Sequence, residues 1–266
     1  MIKIGSLFAG IGGFELGLER AIPGAQTIWQ VEQNLYCQKV LAKHWPDAKI
    51  YNDVRNITKD TVEPVDILCG GFPCQDISLA GKGKGLHGKK SGLWWEMLRI
   101  ISELRPRIVV MENVAALLIR GGCKVVGSLA EIGYCTEWTV ISARDFGAPH
   151  LRRRWFAVAY SDSDSKPSSS DNAQALERIV TDSDITSSKR NGMSFGLRKK
   201  DSGSDLSFPK ERYWGKTSPV SPLCRVDDGI PDRLDRLRAL GNAIVPQCSE
   251  WVGQQIVKSG LLEDML

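Results

Sequence analysis

IKIGSLFAGIGGFELGLERA, residues Ile2 to Ala21, joins an apolar run to a glycine-rich turn and then to an amphipathic stretch. Ile2–Phe8 alternates in the manner of a buried strand. Phe14–Ala21 carries apolar residues at helical spacing. Gly10, Gly12 and Gly13 lie between the two, where a strand must turn sharply into a helix and a ligand can approach the backbone. Strand, tight turn and helix form the opening unit of an α/β open sheet. The pattern repeats along the chain: Thr27–Glu32, Val65–Gly70, Arg107–Glu112, Thr136–Ser142 and Trp155–Tyr160 read as strands, and Leu35–His44 and Leu93–Leu104 as helices. Such alternation predicts an α/β fold, a parallel or mixed sheet covered on both faces.

A chain of 266 residues can bury a sizeable core in one domain or a little more. Its net charge of +4 excludes a histone-like electrostatic binder but permits a local basic groove. The seven cysteines are Cys37, Cys69, Cys74, Cys123, Cys135, Cys224 and Cys248; they contain no CxxC pair. The set supports neither a disulfide framework nor a metal site. MIKIGSLFAG lacks the basic and long apolar regions of a signal peptide, and no apolar run approaches a membrane span. A reduced, cytoplasmic protein with no membrane partner is expected.

At Ser161 the composition changes. SDSDSKPSSSDNAQ opens a polar segment with few large apolar residues before Phe208, Tyr213 and Trp214. Its first part carries Asp162, Asp164, Asp171, Glu177, Asp182 and Asp184 against Lys166 and Arg178. Residues 185–220 hold eight bases against three acids, with Arg198, Lys199 and Lys200 consecutive. A helical pattern returns near Asp232 (Leu234, Leu237, Leu240) and continues past GNAIVP into Trp251, Val252 and Ile256. The expected organisation is a first part, 1–160, a small loop-rich insertion, 161–231, and a return segment, 232–266, that completes the first part.

Two stretches carry chemistry. The Phe8–Gly13 turn offers free N–H groups at a helix N-terminus. Glu32 follows twenty residues after Gly12, where an acid binds ribose hydroxyls in nucleotide sites, and Asp53 ends a possible third strand. On these residues alone, structural turn glycines or a nicotinamide or flavin site remain open. DILCGGFPCQDIS, Asp66 to Ser78, is sharper. An apolar strand runs into Gly70–Gly71, Pro73 fixes the backbone, and Cys74 arrives at the strand's C-terminal edge, where open α/β sheets bind ligands.

The set FAGIGG, GGFPCQDIS, MENV (Met111–Val114), ARDFGAPHLRRRWF (Ala143–Phe156) and ALGNAIVP (Ala239–Pro246) resembles, in content and order, the DNA cytosine-C5 methyltransferases. The resemblance covers residues 1–160 and about 232–258. It implies a Rossmann-like S-adenosylmethionine-dependent methyltransferase with a mixed sheet, the inserted segment being a target-recognition region. It implies methyl transfer to C5 of a flipped cytosine in double-stranded DNA. A Cys74 thiolate would add at C6 and make C5 nucleophilic toward a sulfonium methyl. Glu112 matches the residue that meets N3 and the exocyclic amine; to donate to N3 it must be protonated, so a pKa raised by burial is expected. Arg154, with Arg152, matches the arginines near O2 and the backbone. Gln75 and Asn113 complete the implied catalytic set. Phe8, Ala9, Gly10, Gly12, Gly13, Glu32, Asp53, Pro73 and Asn242 would line the cofactor pocket.

By the same resemblance AGKGKGLHGKKSG (80–92) is a lid over DNA. Lys82, Lys84, Lys89 and Lys90, with Arg198, Lys199 and Lys200 of the insertion, would then meet DNA. A cognate restriction endonuclease and a monomeric state are further expectations. His150 departs from the family's usual Gln before the arginines, and the insertion is short and Ser-rich. Methylation of RNA (tRNA) cytosine, transfer from a modified cofactor, and a catalytically impaired DNA-binding relative stand beside the main reading.

Overall fold

The computed structural model of the chain describes residues 1–73, 92–161, 233–263 and 265. Seven strands form one sheet: β1 (Ile2–Leu7), β2 (Ala25–Val31), β3 (Lys49–Tyr51), β4 (Ile67–Gly70), β5 (Ile108–Val114), β6 (Tyr134–Ser142) and β7 (Arg153–Ser161). Their order across the sheet is β3-β2-β1-β4-β5-β7-β6. The first five run parallel, whereas β7 is antiparallel to both β5 and β6. The mixed sheet agrees with the expectation, and each expected strand lies within two residues of an observed one.

The strands are buried on both faces, and their residues alternate between two cores. Ile2, Ile4, Ile67, Cys69, Ile108, Val110, Phe156 and Val158 face one side. They meet Phe14 and Leu18 of α1 (Gly13–Ala21), and Trp251, Val252 and Ile256 of the last helix. Leu7, Leu68, Val109, Met111, Trp155 and Ala157 face the other, against Trp94, Met97, Ile100 and Ile101 of α3 (Leu93–Leu104). Val125 and Leu129 of α5 (Gly122–Glu131) and Leu117 of α4 (Leu117–Arg120) close that second core. α2 (Leu35–His44) begins at Asn34, whose side-chain oxygen accepts from the Tyr36 and Cys37 amides as an N-cap.

After Ser161 the described chain resumes with α6 (Arg233–Asn242) and α7 (Pro246–Lys258). Pro246 starts α7 at a position where no intrahelical N–H is needed. α7 packs along α1, and its Ser249 hydroxyl donates to the Gly13 carbonyl at 2.9 Å. α7 thus lies against the first helix of the chain. The expected helical pattern is observed as α6, with Leu234 67% and Leu240 51% exposed. Among the described residues no helix is long and apolar enough to cross a membrane.

Candidate active site

The C-terminal ends of β1, β2, β3, β4 and β5 share one edge of the sheet. Because β7 runs the other way, its first residues reach that same edge. The reversal brings Arg152 and Arg154, ahead of an apolar strand in sequence, beside Glu112 at the end of another. A cleft of about 770 Å³ opens there. Its walls include Phe8 and Gly10 from the β1 turn, Glu32 and Asn34 beyond β2, and Asp53 and Arg55 beyond β3. Gly71, Phe72 and Pro73 follow β4, and Glu112 and Asn113 come from β5. Arg152 directly precedes β7 and Arg154 lies at its start, and Asp235, Arg238 and Asn242 lie on α6.

On β5 and β7, Glu112 stands opposite Phe156 and Val114 opposite Arg154, so Glu112 and Arg154 are diagonal neighbours on one face. Arg154 Nε lies 2.9 Å from Glu112 Oε1, and the Glu112 side chain is 13% exposed. Burial raises its pKa from 4.5 to about 7, against the opposing charges of Arg154 and Arg152. The buried carboxyl thus keeps its proton to higher pH than a free one, and the direction agrees with the sequence expectation. Gly71 makes room for it: a Cβ there would sit 2.9 Å from Glu112 Oε2. Asn113 points to the other face of the strand. Its Nδ2 donates to the Phe72 carbonyl at 3.3 Å, and its Oδ1 accepts from the Val114 amide. The side chain thus braces the loop that carries Pro73.

The other end of the cleft is built on the glycine turn. Phe8, with φ 57°, and Gly10, with φ 59°, both occupy the left-handed region. For Phe8 this is a strained conformation of the kind that concentrates at functional sites. Gly10 has nothing within 4 Å of where a Cβ would project, so a bound group can approach the backbone there. Glu32 fixes the turn: Oε2 accepts from the Gly10 amide at 2.8 Å and Oε1 from the Asn34 amide at 2.8 Å. A carboxylate has about four acceptor positions, leaving two for a ligand's hydroxyls. Asp53 is held by its neighbour, Arg55 Nε and Nη2 donating to its two oxygens at 2.9 and 2.6 Å. Those bonds keep the Asp53 carboxyl below its ordinary pKa.

An open glycine, a ribose-type acid with free lone pairs and a second acid at an adjoining strand end fit an adenosine-bearing cofactor. Among the described residues no group of acids, histidines and cysteines could hold a metal ion.

Of the residues singled out from sequence, Phe8, Gly10, Glu32, Asp53, Pro73, Glu112, Asn113, Arg152, Arg154 and Asn242 gather around this cleft. Ala9, Gly12 and Gly13 are not among its lining residues. The Ala9 amide donates to the Val31 carbonyl, Gly12 faces the Trp45 ring, and Gly13 lies against the Ile244 carbonyl. Cys74, Gln75, Lys82, Lys84, Lys89, Lys90, Arg198, Lys199 and Lys200 lie outside the described residues, as does residues 162–231 of the insertion. Sequence reasoning missed Arg55, Asp235 and Arg238. Arg55 lies two residues beyond Asp53, a spacing that a turn-local ion pair allows.

Residues 2–220 match the family model for C-5 cytosine-specific DNA methylases. The chain belongs to this family. Among curated members, the type II methyltransferase M.CviJI of Paramecium bursaria Chlorella virus IL3A is 40% identical over 156 residues, which are 58% of this chain and 41% of that protein. M.HhaI of Haemophilus parahaemolyticus is 34% identical over 158 residues, 58% of this chain and 47% of the relative. M.Bsp6I of Bacillus sp. (strain RFL6) is 36% identical over 166 residues, 60% and 52% of the two chains. The chain thus spans about half the length of the curated relatives it matches. The fold is shared with the Schizosaccharomyces pombe Dnmt2 methyltransferase (TM-score 0.52, 21% identity, 66% of this chain and 56% of that one). It is also shared with the Entamoeba histolytica methyltransferase EhMeth (TM-score 0.54, 20% identity, 62% and 55%). In this C-5 methylase chain, then, the shared fold ends its strands on the Glu112–Arg154 pair and the Glu32-braced turn.

Proposed function

We propose that the protein transfers a methyl group from S-adenosylmethionine to C5 of a cytosine flipped out of double-stranded DNA. The observation that carries this reading is the buried Glu112 carboxyl, paired with Arg154 at the strand edge beside Gly71–Pro73. When bound, the cofactor supplies an electrophilic methyl on a sulfonium. Phe8, Gly10, Glu32, Asp53 and Asn242 would hold it, Glu32 through its two remaining acceptor positions. Cys74 follows Pro73 directly and is the thiolate that adds to cytosine C6, making C5 the nucleophile toward the methyl; loss of the C5 proton to a base then expels the Cys74 thiolate and restores the ring. Negative charge then builds on N3 and O2. Protonated Glu112 donates to N3, and Arg154 offers its guanidinium to O2. Gln75 flanks the nucleophile, and Asn113 holds the loop that presents it.

In the same reading, residues 161–231 form the target-recognition region inserted between 1–160 and 232–266. Lys82, Lys84, Lys89, Lys90 and Arg198–Lys200 contact the duplex, through phosphates that give affinity without sequence information. The protein works as a monomer in the cytoplasm, and a restriction endonuclease cutting the same site is its natural counterpart.

The test incubates the protein with tritiated S-adenosylmethionine and unmethylated genomic DNA, followed by bisulfite sequencing. Protected cytosines in one recurring context are expected, and Cys74→Ser should abolish them while leaving cofactor binding intact. Label entering RNA but not DNA, or undiminished transfer by Cys74→Ser, would overturn the reading.

A further inference from the structure

α6 forms one wall of the cleft through Asp235, Arg238 and Asn242, yet its own anchorage is slight. Two of its leucines face solvent, and among the described residues no strand or helix packs along its length. Its C-terminal end is held differently. Arg152 Nη1 donates to the Gly241 carbonyl at 2.9 Å and Nη2 to the Ala243 carbonyl at 2.5 Å. These carbonyls flank Asn242, where the helix leaves its acceptors unpaired and where its dipole favours a cation. The forked guanidinium can bridge two carbonyls two residues apart, which a single ammonium point charge cannot do with the same geometry. The backbone carries a cost for this placement: Arg152 has φ 28°, in the sparsely populated positive region for a non-glycine residue. Two residues on, Arg154 pairs with Glu112.

Resting on the function proposed above, we infer that Arg152 is a positioning residue for the cofactor wall. It bolts the end of α6, with Asn242, to the start of the strand that carries Arg154. The guanidinium is spent on backbone carbonyls, so of the two arginines it is Arg154 that meets the reacting base. The cofactor half of the cleft and the base half are thereby set by one side chain. Losing it frees the α6 wall without removing any group that touches the cytosine.

The experiment uses the full chain with Arg152→Met and Arg152→Lys. Hydrogen exchange of the peptide covering residues 239–245 is measured without cofactor, S-adenosylhomocysteine affinity by calorimetry, and kcat at saturating cofactor and DNA. For Arg152→Met, exchange in 239–245 should accelerate at least tenfold and the Kd should rise at least tenfold, a larger fold-change than any fall in kcat. Arg152→Lys should fall between the two. Unchanged exchange and affinity with a large loss of kcat would overturn the inference and place Arg152 at the base. Should Arg152→Met fail to fold, the exchange of Arg152→Lys decides in the same way. Exchange is read on the cofactor-free chain, so a parent protein that binds no S-adenosylhomocysteine would count against the proposed function while the tether itself is still decided.

Discussion

Arg154 and Glu112 meet at 2.9 Å as diagonal partners on antiparallel strands, and Gly71 leaves space for the carboxylate that Arg154 holds. The guanidinium therefore does two jobs. It orients the carboxyl, and it limits how far burial can raise its pKa.

Activity that depends on protonated Glu112 should decline as pH rises through about 7, the value to which burial raises this carboxyl. Replacing Arg154 by Gln removes the charge that opposes the rise, so the Glu112 titration should move upward. Carboxyl ¹³C NMR of selectively labelled protein reads the shift directly. A downward movement would mean that the pairing does not control the proton.

Gly71→Ala would place a Cβ 2.9 Å from Glu112 Oε2, at the one oxygen not bound by Arg154 Nε. The carboxyl must shift, and kcat should fall at least tenfold while the melting transition remains cooperative. Parent-like turnover in this variant would show that the carboxyl's position is not critical.

Glu32→Ala removes a side chain that ties Gly10 to Asn34 and offers two further acceptor positions. Hydrogen bonds to a charged group are worth about 1.5–3 kcal/mol, so the cofactor Kd should rise roughly 10- to 100-fold by calorimetry. The effect on kcat at saturation should be small.

Glu15 on α1 is fully buried, and burial raises its pKa from 4.5 to about 7, against the hydrogen bond that Gln30 Nε2 donates to its Oε1 at 3.1 Å. A carboxyl with a raised native pKa holds its proton more tightly folded than unfolded. Stability from this group is present in full below about pH 4.5, falls as pH rises toward 7, and is flat above. Glu15→Gln should remove that slope. At pH 8 the variant should be more stable by up to about 3 kcal/mol, from 1.36 kcal/mol per pKa unit. Urea unfolding at pH 4.5 and 8 checks this, and equal losses at both pH values would contradict it.

The sequence made the local elements legible because buried strands and amphipathic helices carry their period in side chains. Leu35–His44 and Leu93–Leu104 are observed with the bounds expected of them. The short helices Leu117–Arg120 and Gly122–Glu131 were not legible, being interrupted by the Gly121–Gly122 pair. The place of β7 between β5 and β6 could not be read either, since strand order is decided by packing between distant segments. At the site, Glu112 and Arg154 were visible through their motifs. The grip of Arg55 on Asp53 and of Arg152 on Gly241 and Ala243 was not. One partner in the second case is a backbone carbonyl, which every residue possesses and no sequence pattern marks.

The pairing of α1 with α7 has a consequence for biosynthesis. Of the described elements, α1 is among the first made, and the helix that covers it, with Trp251, Val252 and Ile256, is among the last. A nascent chain that has emerged only through β7 presents Ile4, Phe14, Leu18 and Val158 without their cover. Until residues 246–258 leave the ribosome, that bare apolar face is a surface for chaperones or for aggregation. The wall that α6 gives the cleft is likewise in place only once residues 233–242 have emerged.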